Sequence, residues 1–257
     1  MKEEKVYFKN NHGERLCGVL TVLEDASKKH PLVVLCHGFT SSKDSATYPL
    51  MAEKLYDSGI LSLRFDFYGH GESEGRFEDI TITEGTEEVI SAIDFVKTLE
   101  YAGNIALFGT SFGGLCATLA ASRFNTITAL GLKAPASDMI DNRRKHLGEE
   151  GYDEWKQMGV AEFNNHSGIV VKLNYSFAED GEKINAFEEA RKISCTTLIV
   201  HGDNDLSVPL QQSERLAKGI KNVKLEIIEG ANHHFDRPGE KEKINMMFVK
   251  FFKEVLT

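Results

Sequence analysis

Residues 104–121 read NIALFGTSFGGLCATLAA. The first part, Asn104–Gly109, is an apolar run of the kind expected for a strand buried on both faces. The last part, Phe112–Arg123 with its neighbours, is rich in small residues and reads as a helix. Between them lies Gly109-Thr110-Ser111-Phe112-Gly113. A strand-to-helix turn this tight forces strained backbone angles on its central residue, so only small neighbours can flank it. The turn lifts the Ser111 hydroxyl to the carboxyl end of the sheet, where the positive N-terminus of the following helix also points. Ser111 is therefore the candidate nucleophile. The plainer reading is a glycine-rich helix packed on strands.

Moving outward, β-branched apolar runs alternate with helical patterns, which predicts a mainly parallel sheet covered by helices. Lys5–Lys9 and Arg15–Leu23 flank the turn-like Asn10-Asn11-His12-Gly13 and read as an antiparallel hairpin. Further strands are predicted at Leu32–Cys36, Leu61–Asp66, Thr126–Lys133, Thr196–Val200 and Lys224–Ile228, making eight with Asn104–Gly109. Helices are predicted around Tyr48–Ser58, over Ile82–Leu99 with Val89, Ile93 and Val96 on one face, and near Glu240–Leu256.

One connection is too long. Pro135 to Thr196 spans about 60 positions, where a return helix needs about 15–20 and structureless loops of such length are uncommon. Asn185–Ile193 can supply the return helix. The surplus, residues 136–184, reads as a small cap inserted into a single domain of residues 1–257. It holds Trp155, the only tryptophan. Val171, Leu173, Tyr175 and Phe177 alternate with polar residues at a period of two. Asn164-Asn165-His166-Ser167-Gly168 before them reads as a hairpin turn. Trp155 and Tyr175 are candidates to line a pocket, although more than half of the cap aromatics are expected to form its own core.

A serine hydroxyl needs a base. Gly230-Ala231-Asn232-His233-His234-Phe235 follows the last strand, so either histidine could serve. His201-Gly202-Asp203-Asn204-Asp205 follows the strand before it and offers two carboxylates for orienting that base. The chain order Ser, Asp, His is the one used by hydrolases built on a strand–turn–helix elbow. An oxyanion would need two backbone N–H donors. Phe112 supplies one directly after the serine. The loop Cys36-His37-Gly38-Phe39-Thr40 supplies the other at Phe39, with His37 orienting the loop or touching substrate. Asp66, His70 and Glu72, in a third glycine-bearing loop, read as scaffold.

The net charge of -9 argues against nucleic acid and anionic lipid as partners. No run of 18 apolar residues occurs, so no membrane span is expected. MKEEKVYFKN lacks the apolar stretch of a signal peptide. Cys17, Cys36, Cys116 and Cys195 form no pair with metal-ligand spacing and read as buried free thiols. A cytoplasmic setting is the resulting expectation.

Together, His37-Gly38-Phe39, the loop Asp66–Ser73, Gly109–Gly113, His201–Pro209 and Gly230–Phe235 resemble the α/β-hydrolase superfamily over nearly the whole chain. The family pattern H-G-x-x-D-x-x-V-P puts the catalytic acid at Asp205, and G-A-x-H-x-F puts the base at His233. Within the superfamily the chain is most similar to bacterial cinnamoyl (feruloyl) esterases, though its Gly-Thr-Ser-Phe-Gly elbow differs from the Gly-His-Ser-Gln-Gly common there. The resemblance implies an esterase without metal or organic cofactor, acting on a small-molecule ester through an acyl-enzyme. It also implies a homodimer as an expectation, since related esterases often dimerise. A monoacylglycerol lipase, an acyl thioesterase and a non-catalytic ligand-binding relative are the other readings; a peptidase is less favoured, because the extra domain of prolyl-oligopeptidase-like enzymes is absent.

Overall fold

The computed structural model describes residues 1–22, 28–164 and 168–257. Eight strands form one sheet in the order β1-β2-β4-β3-β5-β6-β9-β10. They are β1 (Lys2–Lys9), β2 (Arg15–Val22), β3 (His30–Cys36), β4 (Leu61–Phe65), β5 (Ala102–Thr110), β6 (Ile127–Lys133), β9 (Thr196–Gly202) and β10 (Val223–Ile228). β1 pairs antiparallel with β2, and β2 antiparallel with β4; every other neighbour is parallel. The eight runs read from the sequence agree with this sheet, and the fold is that of the α/β-hydrolases. Leu23, the last residue of the expected second strand, lies outside the described residues.

The continuous burial of β3 and β5 follows from helices on both faces. α1 (Thr47–Asp57) and α8 (Glu240–Leu256) cover one face, with Tyr48, Met51, Phe248 and Phe252 meeting Val33, Leu35 and Phe108. α2 (Ile82–Lys97) and α3 (Phe112–Ala121) cover the other. In α2, Val89, Ile93 and Val96 are fully buried, at roughly 1.5–3 kcal/mol of transfer free energy each. Thr81 caps that helix, its side chain accepting from the Glu84 N–H. Further along, α6 (Ala186–Glu189) and α7 (Leu210–Gly219) pack on the same face as α3, with Phe187 and Leu216 in its core.

The strand order locates the site. From β3 the chain moves through α1 to β4 on one side, while from β5 it moves through α3 to β6 on the other. The loops leaving β3 and β5 therefore diverge and open a crevice at the carboxyl ends of adjacent strands. Backbone strain gathers at that same edge. Among the described residues the non-glycine positions with positive φ are Thr40 after β3, Ser111 after β5, Ala134 after β6 and Phe235 after β10. Each costs of order 1–3 kcal/mol and persists only because its surroundings hold it.

Between β6 and α6 lie α4 (Met139–Met158), the two-stranded antiparallel β7 (Val160–Asn164) and β8 (Val170–Asn174), and α5 (Ser176–Gly181). α4 is broken at Gly148, whose φ of 71° is not helical. The period of two read through Phe177 stops earlier: Tyr175 already has helical angles and caps α5, so Phe177 is buried by a helix rather than a strand. Residues 165–167 of the expected hairpin turn lie outside the described residues. The segment is tied to the sheet side by the Asn174 amide donating to Asp79 at 2.8 Å, and by the Thr83 hydroxyl and N–H donating to Asp180 at 2.6 and 2.8 Å.

The loop after β4 is locked by a buried ion cluster. Lys43 is 2% exposed and its Nζ donates to Asp66 at 2.8 Å, Glu72 at 2.9 Å and Asp44 at 3.0 Å. Asp66 also accepts from the N–H groups of Lys43 and Glu72. Gly71 sits against that carboxylate, where a Cβ would collide with it, and has positive φ. Asp66 and Glu72 thus hold the loops beside β3 and β4 together. Lys43→Met, which strands the Asp66 charge, is expected to cost roughly 3–5 kcal/mol in urea unfolding. A cost below about 1 kcal/mol would show that the cluster is solvated.

Candidate active site

Ser111 has φ 53° and ψ −115°, outside the usual regions for a residue with a Cβ. Its backbone is held on three sides: its N–H donates to Lys133 O at 3.0 Å, and its carbonyl accepts from Leu115 and Ala136. The flanking glycines are required by contact. A Cβ on Gly109 would meet the Gly113 carbonyl, and one on Gly113 would meet the carbonyls of Cys36 and His37. The elbow is therefore wedged against β3, as the close crossing of strand and helix demands. Ser111 keeps partial exposure while every residue of α3 behind it is buried.

His233 and Asp205 meet at the carboxyl ends of β10 and β9, three and two strands from β5. The His233 Nδ1–H donates to Asp205 Oδ2 at 2.6 Å, which leaves Nε2 on the far side of the ring. Gly202 allows the two loops to touch, since a Cβ there would strike the Ala231 carbonyl. Asp205 Oδ1 accepts from the N–H groups of Ser207 at 2.9 Å and Val208 at 2.8 Å. Its Oδ2 also faces His201 Nε2 at 3.1 Å. Burial pushes this carboxyl upward, but the hydrogen bonds from His201 and His233 outweigh it and hold Asp205 well below the usual aspartate range. His201 is a contributor that the sequence reading passed over. It is fully buried, its Nδ1 lies 2.6 Å from Ser213 Oγ, and it fixes the carboxylate from below.

The neighbours take other roles. Asp203 is exposed and accepts from the Gly230 N–H, closing the turn before the histidine loop. The His234 N–H donates to Asn232 Oδ1 at 3.2 Å, and its ring stands edge-on to His233 with centroids 5.2 Å apart. Among the described residues no hydrogen bond joins the Ser111 hydroxyl to His233. Such contacts are often long without substrate and tighten when one binds.

The β3 loop reaches the elbow directly, for a Cβ on Gly38 would lie 3.6 Å from Ser111 Cβ. Neither the Phe39 nor the Phe112 N–H finds an acceptor among the described residues. Two unsatisfied donors on adjoining loops, one at a helix N-terminus, are what an oxyanion requires. The Phe39 and Phe112 rings pack at 6.1 Å and so hold the two loops in register.

His37 is completely buried with both ring nitrogens engaged: Nδ1 donates to Gly38 O at 2.8 Å, and Nε2 accepts from the Phe67 N–H at 3.1 Å. Burial first, then the neighbouring His70, lowers its pKa far enough to keep it neutral. It orients the loop and offers a ligand no free nitrogen. Trp155 is 1% exposed and donates Nε1–H to Leu173 O at 2.9 Å. With Tyr152, Phe163 and Tyr175 it makes an edge-to-face cluster, centroids 5.4–5.8 Å from Trp155. Trp155 and Tyr175 thus form the interior of the α4–β8 segment. Cys17, Cys36, Cys116 and Cys195 are buried free thiols. Among the described residues no helix is long and apolar enough to cross a membrane, and no cluster of three or more His, Cys, Asp or Glu could hold a metal ion.

Residues 27–158 match the family described as serine aminopeptidase, S33. That stretch includes Gly38, Phe39 and Ser111 but ends before Asp205 and His233. Among solved structures, Est1E from Butyrivibrio proteoclasticus, determined with ferulic acid bound, is 30% identical. The match covers 97% of this chain and 98% of that one, with a TM-score of 0.84. Mouse alpha/beta hydrolase domain-containing protein 10 superposes with a TM-score of 0.80 at 21% identity, covering 98% of this chain and 99% of that one. The human mitochondrial palmitoyl-protein thioesterase ABHD10 is 25% identical over 224 residues, 85% of this chain and 71% of the relative.

Proposed function

Since the chain belongs to the serine aminopeptidase S33 family of α/β-hydrolases, we propose that it is a serine esterase with Ser111, His233 and Asp205 as its triad. The observation that carries this reading is the 2.6 Å hydrogen bond between His233 and a deeply anchored Asp205, at the sheet edge that also presents the strained Ser111. His233 Nε2 takes the Ser111 proton as Oγ attacks the ester carbonyl. The Phe39 and Phe112 N–H groups receive the oxyanion. His233 then passes the proton to the leaving alkoxide, giving alcohol and acyl-enzyme, and water repeats the steps to release the acid. Asp205 holds the ring in the Nδ1–H form and stabilises the imidazolium. No cofactor enters this sequence.

The segment of residues 136–184 is the cap of the domain, roofing the crevice from the α4 side. Its substrate is read as a small aryl or acyl ester of the hydroxycinnamate type, supported by the likeness to Est1E. A second reading, an acyl thioesterase, is favoured by the likeness to ABHD10. The test has two parts. A fluorophosphonate probe is expected to add to Ser111, located by peptide mass mapping, and a probe that labels another residue or none would remove the triad. Ethyl ferulate, 4-nitrophenyl esters of increasing chain length and palmitoyl-CoA then separate the substrates. Turnover of long acyl groups without ferulate would end the hydroxycinnamate reading.

A further inference from the structure

Among the described residues, Arg143 of α4 is a cation without an anion. Its guanidinium carbon lies 5.1 Å from the ring centroid of Phe39 and 5.2 Å from that of Phe163. Its Nε is buried with no hydrogen-bond partner. Among the described residues no carboxylate pairs with it. Its neighbour Arg144 is served instead, meeting Glu182 at 3.0 Å and Glu149 at 3.6 Å. Burial, with nothing to offset it, draws the Arg143 pKa down to about 10, so the group stays charged at neutral pH.

The location gives this orphan charge a use. Phe39 is the residue whose N–H is assigned above to the oxyanion, and its ring also meets Phe177 at 5.9 Å. One aromatic ring therefore separates the guanidinium from the loop N–H assigned above to the oxyanion. Aromatic rings engage the face of a guanidinium and leave its N–H edges able to grip a planar anion in two-point fashion. Arg143 keeps partial exposure, which leaves an incoming anion a way to its N–H edges. A protein with net charge -9 has carboxylates to spare, yet among the described residues none pairs with Arg143.

We propose that Arg143 receives a carboxylate at the remote end of the acyl group, so that the preferred substrates are half-esters of dicarboxylic acids or similarly anionic acyl esters. This rests on the serine esterase reading and names the substrate class of that same site. Substrate pairs of equal acyl length test it: mono-4-nitrophenyl adipate against 4-nitrophenyl hexanoate, and the suberate half-ester against the octanoate. In Arg143→Met the anionic-to-neutral ratio of kcat/KM is expected to fall about 10–100-fold, mainly through KM, as suits a lost charge-assisted hydrogen bond. Arg143→Lys, which keeps a point charge without the fork, is expected to recover part of the ratio. Because the ratio cancels the amount of active enzyme, partial misfolding does not blur it. An unchanged ratio in Arg143→Met for both pairs overturns the proposal, as does an equal loss on the neutral ester ethyl ferulate. Fluorophosphonate labelling of the wild type keeps the two readings apart. Label at Ser111 with an unchanged ratio in Arg143→Met removes the Arg143 assignment alone, whereas absence of label from the wild type removes the serine reading and, with it, the assignment that rests on it.

Discussion

Ser111→Ala is expected to lower kcat/KM for a 4-nitrophenyl ester by about 10⁴–10⁶-fold, with little change in the unfolding midpoint. Its main-chain bonds to Lys133, Leu115 and Ala136 do not involve the hydroxyl, so the elbow should stay folded. His233→Ala is expected to cost a similar amount, and the double variant hardly more, because attack and proton removal are one event. A residual rate above the uncatalysed reaction should persist from the Phe39 and Phe112 donors, which neither substitution touches. Retention of more than about 1% of the wild-type rate by Ser111→Ala would place the nucleophile elsewhere.

Exchanging a single carboxyl oxygen for an amide at Asp205 should be nearly as damaging. Asp205→Asn is expected to reduce kcat by about 10³–10⁴-fold, since an amide nitrogen facing His233 Nδ1 favours the tautomer with its proton on Nε2. Asp203→Asn is expected to change kcat no more than a few-fold, because Asp203 only closes a turn onto the Gly230 N–H. Equal losses in the two variants would mean that both carboxylates reach the base. Stability adds a pH signature. The folded Asp205 pKa is depressed, so its contribution is present above the ordinary value of 3.8 and is lost as pH falls through the lower folded value. The stability gap between wild type and Asp205→Asn should therefore be wide at pH 7, begin to narrow as pH falls below about 3.8, and close only as pH passes through the depressed folded value in urea titrations.

Much of this architecture is local and so could be read along the chain. Apolar runs such as Val33–Cys36 and Ile105–Phe108 are strands because only strands of a covered parallel sheet bury both faces. Gly109 and Gly113 announce a crossing too close for a Cβ. Other features depend on partners distant in sequence. Nothing around Lys43 reveals that its ammonium is buried on Asp66, 23 positions away, because that needs two loops to fold over each other. Trp155 and Tyr175 carry the composition of a pocket lining, but composition does not say which way a side chain turns, and here both turn inward. The alternation through Phe177 was a strand pattern that helix α5 overrode after Asn174.

By itself the sequence determined the order of the eight sheet strands and of helices α1, α2, α3 and α8, the elbow at Ser111, and the short set of acids and histidines on loops at one sheet edge. Periodicity and turn chemistry are properties of neighbouring residues, and they survive without coordinates. Spacing left Asp203 and Asp205 open and the family pattern favoured Asp205; the tertiary structure brings that carboxylate to His233, and it alone decided that His201 faces it and that, among the described residues, Arg143 stands between Phe39 and Phe163 without a counter-ion. Each of those outcomes is set by how loops from separate strands pack together, and a shift of one residue in either loop would exchange the partners.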